Sequence, residues 1–185
     1  MKLLLHVCCA PCSVACIAAL RKEGIEASLY WYNPNIHPRA EYVQRRDALV
    51  QYARSLDISL IMEDEYGLRR FIAALPEAET GRGNPELSRF DAPVRCASCY
   101  RLRMEKTART AKEKGFDAFC TTLFISPYQN HELLAEQAEA AAQQYNVTFL
   151  YRDFRPLFRE GRAEARRLGL YMQKYCGCIF SEEER

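Results

Sequence analysis

Short apolar runs alternate with segments of helical periodicity along most of this 185-residue chain, and that alternation restricts the fold more than any other feature. Lys2 to Val7 has the length and apolarity of a buried strand, and Ser13 to Lys22 then reads as a helix stopped at Gly24. Glu26 to Tyr32 is rich in β-forming residues and ends at Asn33-Pro34-Asn35, Arg39 to Leu56 is helical, and Ile58 to Met62 supplies a third strand. Further helices are expected at Leu68 to Leu75, Ala97 to Lys114 and Pro127 to Gln144, with strands at Ala118 to Thr122 and Val147 to Tyr151. A strand, a helix and a second strand in succession call for a crossover connection, which is right-handed and leaves the strands parallel. The expected fold class is α/β, a three-layer sandwich on a mainly parallel sheet. Pro76 to Pro93 is polar, holds Gly81, Gly83 and Pro85, and reads as a long connecting loop. With no repeat and no linker, one domain over residues 1–185 is expected, residues 152–185 forming an extension packed on the sheet.

Nine cysteines are the anomaly. A domain of this length buries roughly 70% of its unfolded surface and needs no cross-links, whereas disulfide scaffolds are much shorter. The apolar N-terminal run is too short for a secretory core, no window approaches the 18 or so apolar residues of a membrane span, and 27% of residues are charged. A cytoplasmic protein off the membrane is expected, and in that reducing compartment an odd number of thiols points to metal or catalysis.

The cysteines form three groups. Cys8, Cys9 and Cys12 sit where the first strand gives way to the first helix, at the carboxyl edge of a parallel sheet, where open α/β folds bind ligands. The helix from Ala97 runs antiparallel to the strands, which brings Cys96 and Cys99 to the same edge at its N-terminus, where free N–H groups favour thiolate. Cys176-Gly177-Cys178 is the third group, its glycine letting the chain fold tightly enough for both sulfurs to address one metal. Taken singly, Cys9-Ala10-Pro11-Cys12 also fits a thioredoxin-like pair, and Cys96-Ala97-Ser98-Cys99 a structural zinc pair. Seven thiolates together exceed one zinc and suit a cubane needing four plus a second metal using three. Cys16 and Cys120 fall at a helical position and inside an apolar strand and read as buried core thiols. His6 reads as a core histidine, while His37 and His131 are left open; Trp31, with Tyr30 and Tyr32, reads as core and rim.

The formal net charge is only +2, so a globally basic nucleic-acid binder is not indicated. Charge is locally uneven: seven Lys or Arg stand against two Glu from Arg95 to Lys114, and seven against three acids from Arg152 to Lys174. Such stretches are phosphate-facing patches or solvated helix faces.

At Val7-Cys8-Cys9-Ala10-Pro11-Cys12-Ser13, Asn33-Pro34-Asn35-Ile36, Arg95-Cys96-Ala97-Ser98-Cys99-Tyr100, Thr121-Thr122-Leu123, Ser126-Pro127-Tyr128 and Tyr175-Cys176-Gly177-Cys178, the chain resembles the QueH-type epoxyqueuosine reductases over nearly its whole length. The resemblance implies a HUP-like, Rossmann-like fold and an enzyme acting on tRNA. Its reaction is the reduction of epoxyqueuosine at the wobble position to queuosine, without cobalamin. It also implies a 4Fe-4S cluster beside a mononuclear iron. Carried onto this sequence, the cluster ligands are Cys8, Cys9, Cys96 and Cys99, and the iron ligands Cys12, Cys176 and Cys178. Some relatives have Asp where Cys12 stands, so sulfur here takes an oxygen donor's place. The Ser-Gly-Gly-x-Asp-Ser loop of ATP-using HUP-like enzymes is replaced by the cysteines, so ATP use is not expected.

On that reading, Tyr128, His131 and Lys174 are the proton-donor candidates, because they flank the motifs. The partners are epoxyqueuosine tRNA, met by the two basic patches, and a low-potential electron donor. Two other classes remain open: a thiol-disulfide oxidoreductase using Cys9 and Cys12, and a non-catalytic zinc-binding RNA module.

Overall fold

The computed structural model describes residues 1–76, 80–81, 84–88 and 90–184. Five parallel strands, β1 (Leu3–His6), β2 (Ala27–Trp31), β3 (Leu60–Met62), β6 (Ala118–Thr121) and β7 (Thr148–Phe149), form one sheet in the order β3-β2-β1-β6-β7. The remaining pair, β4 (Thr80–Gly81) and β5 (Asn84–Ser88), makes a small antiparallel ladder within the stretch expected to be loop, part of which lies outside the described residues. Between the strands run α1 (Ala10–Lys22), α2 (Arg39–Ser55), α3 (Leu68–Ala73), α4 (Ala92–Glu113) and α5 (His131–Tyr145). Helices α6 (Phe158–Arg167) and α7 (Ile179–Glu183) complete the chain.

Strand β1 is central and fully buried, which is why Leu3, Leu4 and Leu5 run without polar alternation: both faces are covered. Helices α4 and α5 pack together on one side, and α1 with α2 and α6 on the other, giving the expected three layers. Trp31 is wholly buried, its ring N–H donating to the Tyr42 hydroxyl at 3.1 Å, so it belongs to the core. The sequence order reverses between β1 and β6, and at such a switch point the loops leaving the carboxyl ends diverge and open a crevice. Residues 8–12 leave β1 and residues 122–126 leave β6, so the first cysteine group occupies that crevice.

The expected boundaries shift in three places. Helix α1 starts at Ala10 rather than Ser13, because Pro11 suits the first turn of a helix, where its missing N–H costs nothing. Helix α4 starts at Ala92 rather than Ala97, for the same reason at Pro93. Helix α5 starts at His131, with the Asn130 side chain accepting from the Leu133 N–H at 3.0 Å, and a 3-10 turn over Thr122–Ile125 precedes it. Within the C-terminal extension, α6 packs on α1: Gly161 sits so close to Ala15 that an added Cβ would stand 2.9 Å from the Ala15 Cβ.

Candidate metal centre

Cys9 is the N-cap of α1, Cys8 precedes it, and Cys12 lies in the first turn, so three sulfurs converge within 4.8 Å of one another. They form a coupled set. Thiol hydrogen bonds from Cys12 and then Cys9 hold the Cys8 sulfur well below the ordinary thiol range, while donation to Cys8 pushes Cys12 up and burial pushes Cys9 up. The Thr122 hydroxyl, in the 3-10 turn that follows β6, stands 3.6 Å from the Cys8 sulfur, and the Gln173 amide donates to the Cys9 sulfur at 2.8 Å and the Cys12 sulfur at 3.4 Å. Amide N–H groups aimed at sulfur offset thiolate charge.

The other four cysteines gather nearby. Cys99 and Cys178 are buried together with Phe71, Cys96 is half-buried and Cys176 is exposed. Burial first, then the charge of Cys176 and Cys178, raises the Cys96 thiol to about 11. Burial likewise raises the Cys99 thiol to about 12, with Cys176, Cys96 and Cys178 adding to it. The early start of α4 corrects the expectation that its N-terminus favours thiolate at this pair: Cys96 and Cys99 lie beyond the first turn, where free N–H groups no longer point. Cys178 caps α7, its sulfur accepting the Ser181 N–H at 3.3 Å.

Two buried guanidinium groups face these sulfurs. Arg103 donates to the Cys99 sulfur at 3.1 Å and lies close enough to Cys176 and Cys8 to feel their charge; it is 2% exposed, with no carboxylate partner among the described residues. A buried cation without a carboxylate is costly unless anionic sulfur compensates it. Arg45 is paired with Glu41 at 2.7 Å, and donates to the carbonyl oxygens of Cys176 and Tyr175 at 3.0 Å each, anchoring the third cysteine group to α2. Tyr171 donates to the far oxygen of Glu41 at 2.5 Å.

A cavity of about 300 Å³ opens beside the sulfurs, lined by Cys8, Cys12 and Cys176 together with Tyr128, Arg162 and Lys174. An all-sulfur donor set with amide and guanidinium donors behind it fits a soft, thiolate-bound metal, iron or zinc. Residues 3–184 match the family described as "Epoxyqueuosine reductase QueH". The chain belongs to the QueH family of epoxyqueuosine reductases. The relative from Dehalococcoides mccartyi, bearing that same description, is 36% identical over 184 residues, covering 100% of this chain and 94% of the relative. Those from Thermotoga maritima and Histophilus somni are 33% and 35% identical, covering 98% and 97% of this chain and 91% and 72% of theirs.

In this QueH family chain, His6 is a satisfied core histidine, its ring bonded to the Thr121 hydroxyl at 2.9 Å and the Tyr32 carbonyl at 3.1 Å, and burial lowers its pKa to about 4. Cys16 and Cys120 are buried, with the Cys16 thiol donating to the Cys12 carbonyl at 3.2 Å. His37 bonds the Tyr66 hydroxyl at 2.6 Å and His131 the Ser126 carbonyl at 3.0 Å; neither lines the cavity. The basic patch on α4 is not one surface. Arg103 is buried among cysteines, Arg95 is buried against Glu184 at 2.5 Å, and Arg109 is paired with Glu113. Arg45 and Gln173 escaped the sequence reading, because an arginine in a polar helix and a glutamine in an irregular tail carry no local signal. No described helix is long and apolar enough to cross a membrane.

Proposed function

We propose that this chain reduces the epoxide of epoxyqueuosine at the tRNA wobble position to queuosine, the last step in making that nucleoside, without cobalamin. The observation that carries this reading is the match to the epoxyqueuosine reductase family across residues 3–184. The convergence of cysteines from both ends of the chain on one cavity supports it.

Cys8, Cys9, Cys96 and Cys99 are assigned to a 4Fe-4S cluster, and Cys12, Cys176 and Cys178 to an adjacent iron. Cys12 lies within 4.8 Å of the Cys8 and Cys9 sulfurs, and Cys12 and Cys176 both line the cavity where substrate would enter. Centres of this kind supply single electrons and a Lewis-acidic position for the epoxide oxygen. The reaction takes two electrons and two protons, breaks both epoxide C–O bonds, forms the C=C bond and releases water. A low-potential one-electron donor is the reductant. Of the three proton-donor candidates, Tyr128 and Lys174 line the cavity, whereas the ring of His131 is turned onto Phe124. A substrate of this kind places the protein in the cytoplasm.

Anaerobic incubation of the iron- and sulfide-replete protein with epoxyqueuosine tRNA and a low-potential reductant tests the proposal. Mass analysis of the digested RNA is expected to show a nucleoside lighter by one oxygen atom. A replete protein that leaves the epoxide intact would sink it.

A further inference from the structure

Tyr128 is the most exposed large apolar side chain described, at 82%, yet it is held in place. Its ring stands edge-on to Phe158, with centroids 5.9 Å apart and planes at 81°, and its backbone N–H donates to the Ser126 hydroxyl at 3.3 Å. It lines the cavity that Cys8, Cys12 and Cys176 also line. At about 300 Å³ that cavity is small for a ligand site, near the lower end of the roughly 300–1,000 Å³ such sites occupy. The described lining includes Arg45, Arg162 and Lys174 and no aspartate or glutamate. Arg45 is committed to Glu41 and the Tyr175-Cys176 backbone, but Arg162 and Lys174 have no carboxylate partner among the described residues. The Arg162 guanidinium lies 5.5 Å over the Phe158 ring, which fixes it at the same rim.

An aromatic side chain set upright in water, beside cations that lack a carboxylate partner among the described residues, matches what an unstacked nucleotide presents: a π-face and flanking phosphates. Proteins that read single-stranded loops stack splayed bases on aromatic rings and meet the backbone with Lys and Arg. We propose that the Tyr128 ring is the stacking surface for the nucleobase that carries the epoxide, that Phe158 holds this ring upright, and that Arg162 and Lys174 take the adjoining phosphates. The inference rests on the tRNA reading above and adds the residues that bind the base. It assigns Tyr128 by its ring, in place of the hydroxyl that made it a proton-donor candidate. With the base fixed at the mouth, the group it bears is directed toward the sulfurs, which is how positioning lowers a barrier.

The test uses an anticodon stem-loop RNA bearing epoxyqueuosine, with affinity read by fluorescence anisotropy and KM and kcat read separately, on protein of equal iron and sulfide content. Tyr128→Ala is expected to weaken RNA binding roughly five- to hundredfold, the worth of one base-aromatic stack, and to raise KM more than it lowers kcat. Tyr128→Phe restores affinity because it keeps the ring, and Phe158→Leu, which keeps apolar bulk, falls between them. Arg162→Gln lowers the slope of affinity against salt by about one phosphate contact. The visible spectrum stays constant across the set. If Tyr128→Ala binds like the unsubstituted protein, or Tyr128→Phe fails as fully as Tyr128→Ala, the stacking assignment is overturned while the tRNA reading stands. If the unsubstituted protein neither binds nor reduces the RNA, the tRNA reading falls and the proposed occupant with it.

Discussion

Arg45 lies so close to Gly177 that a Cβ built on the glycine would stand 2.8 Å from the guanidinium Nη1 and 3.2 Å from its carbon. The glycine adopts φ +114, a conformation costly to any L side chain, and Arg45 donates to the carbonyl oxygens of the two residues before it, Tyr175 and Cys176. The contact sets where Cys176 and Cys178 stand. Gly177→Ala is expected to lower the iron bound per chain and the melting temperature together, as measured by metal analysis and calorimetry. Arg45→Met leaves Glu41 a buried carboxylate with Tyr171 as its donor, and should destabilise the protein by about 3–5 kcal/mol, the usual consequence of removing one partner of a buried pair. An unchanged denaturation midpoint in Arg45→Met would contradict this account.

Protein purified without air is expected to be brown, with acid-labile sulfide present and iron exceeding four per chain by about one. Seven cysteines from three segments motivate the number: Cys8, Cys12 and Cys176 line one cavity, Cys9 adjoins the first two, and Cys96, Cys99 and Cys178 lie close enough to Cys176 to feel its charge. Zinc without sulfide would defeat the assignment.

Cys96→Ala and Cys178→Ala should fail differently. The first removes a sulfur assigned to the cluster, so visible absorption and epoxide reduction fall together. The second removes one of three sulfurs assigned to the neighbouring iron, so most of the colour remains while turnover stops. Equal loss of colour in both variants would show that the division of ligands is wrong.

The two arginine-rich stretches should separate by experiment. Arg103→Glu puts a carboxylate among buried cysteines where a cation stands now, so loss of iron and of thermal stability is expected, whatever happens to RNA. Arg159 and Arg166 are exposed on α6, beside the cavity-lining Arg162, and have no carboxylate partner among the described residues. Reversing both should flatten the dependence of tRNA affinity on salt by roughly two contacts and leave iron content alone. Titrations of RNA binding across a salt series, alongside metal analysis, measure both effects.

Much of this was legible in one dimension. Alternating strand and helix patterns dictate a parallel sheet because crossovers have one hand, and the strand ending at Val7 puts Cys8, Cys9 and Cys12 at its carboxyl edge whatever else the chain does. Cysteine content in a chain with ample core already pointed to metal, since neither fold stability nor an odd count of thiols suggests disulfides. Boundaries moved where proline opened a helix early, and that moved Cys96 and Cys99 off the helix end. What tertiary structure alone decided is the surroundings of the sulfurs. Arg103 and Arg101 are two residues apart on one helix, yet the first is buried against Cys99 and the second is exposed. Arg45, Gln173 and Tyr128 likewise acquire their positions from packing between distant segments. The reason is physical: a sequence pattern reports which face of an element is apolar, but a charged or amide side chain buried against sulfur is set by which elements meet, and that is fixed only when the whole sheet is assembled.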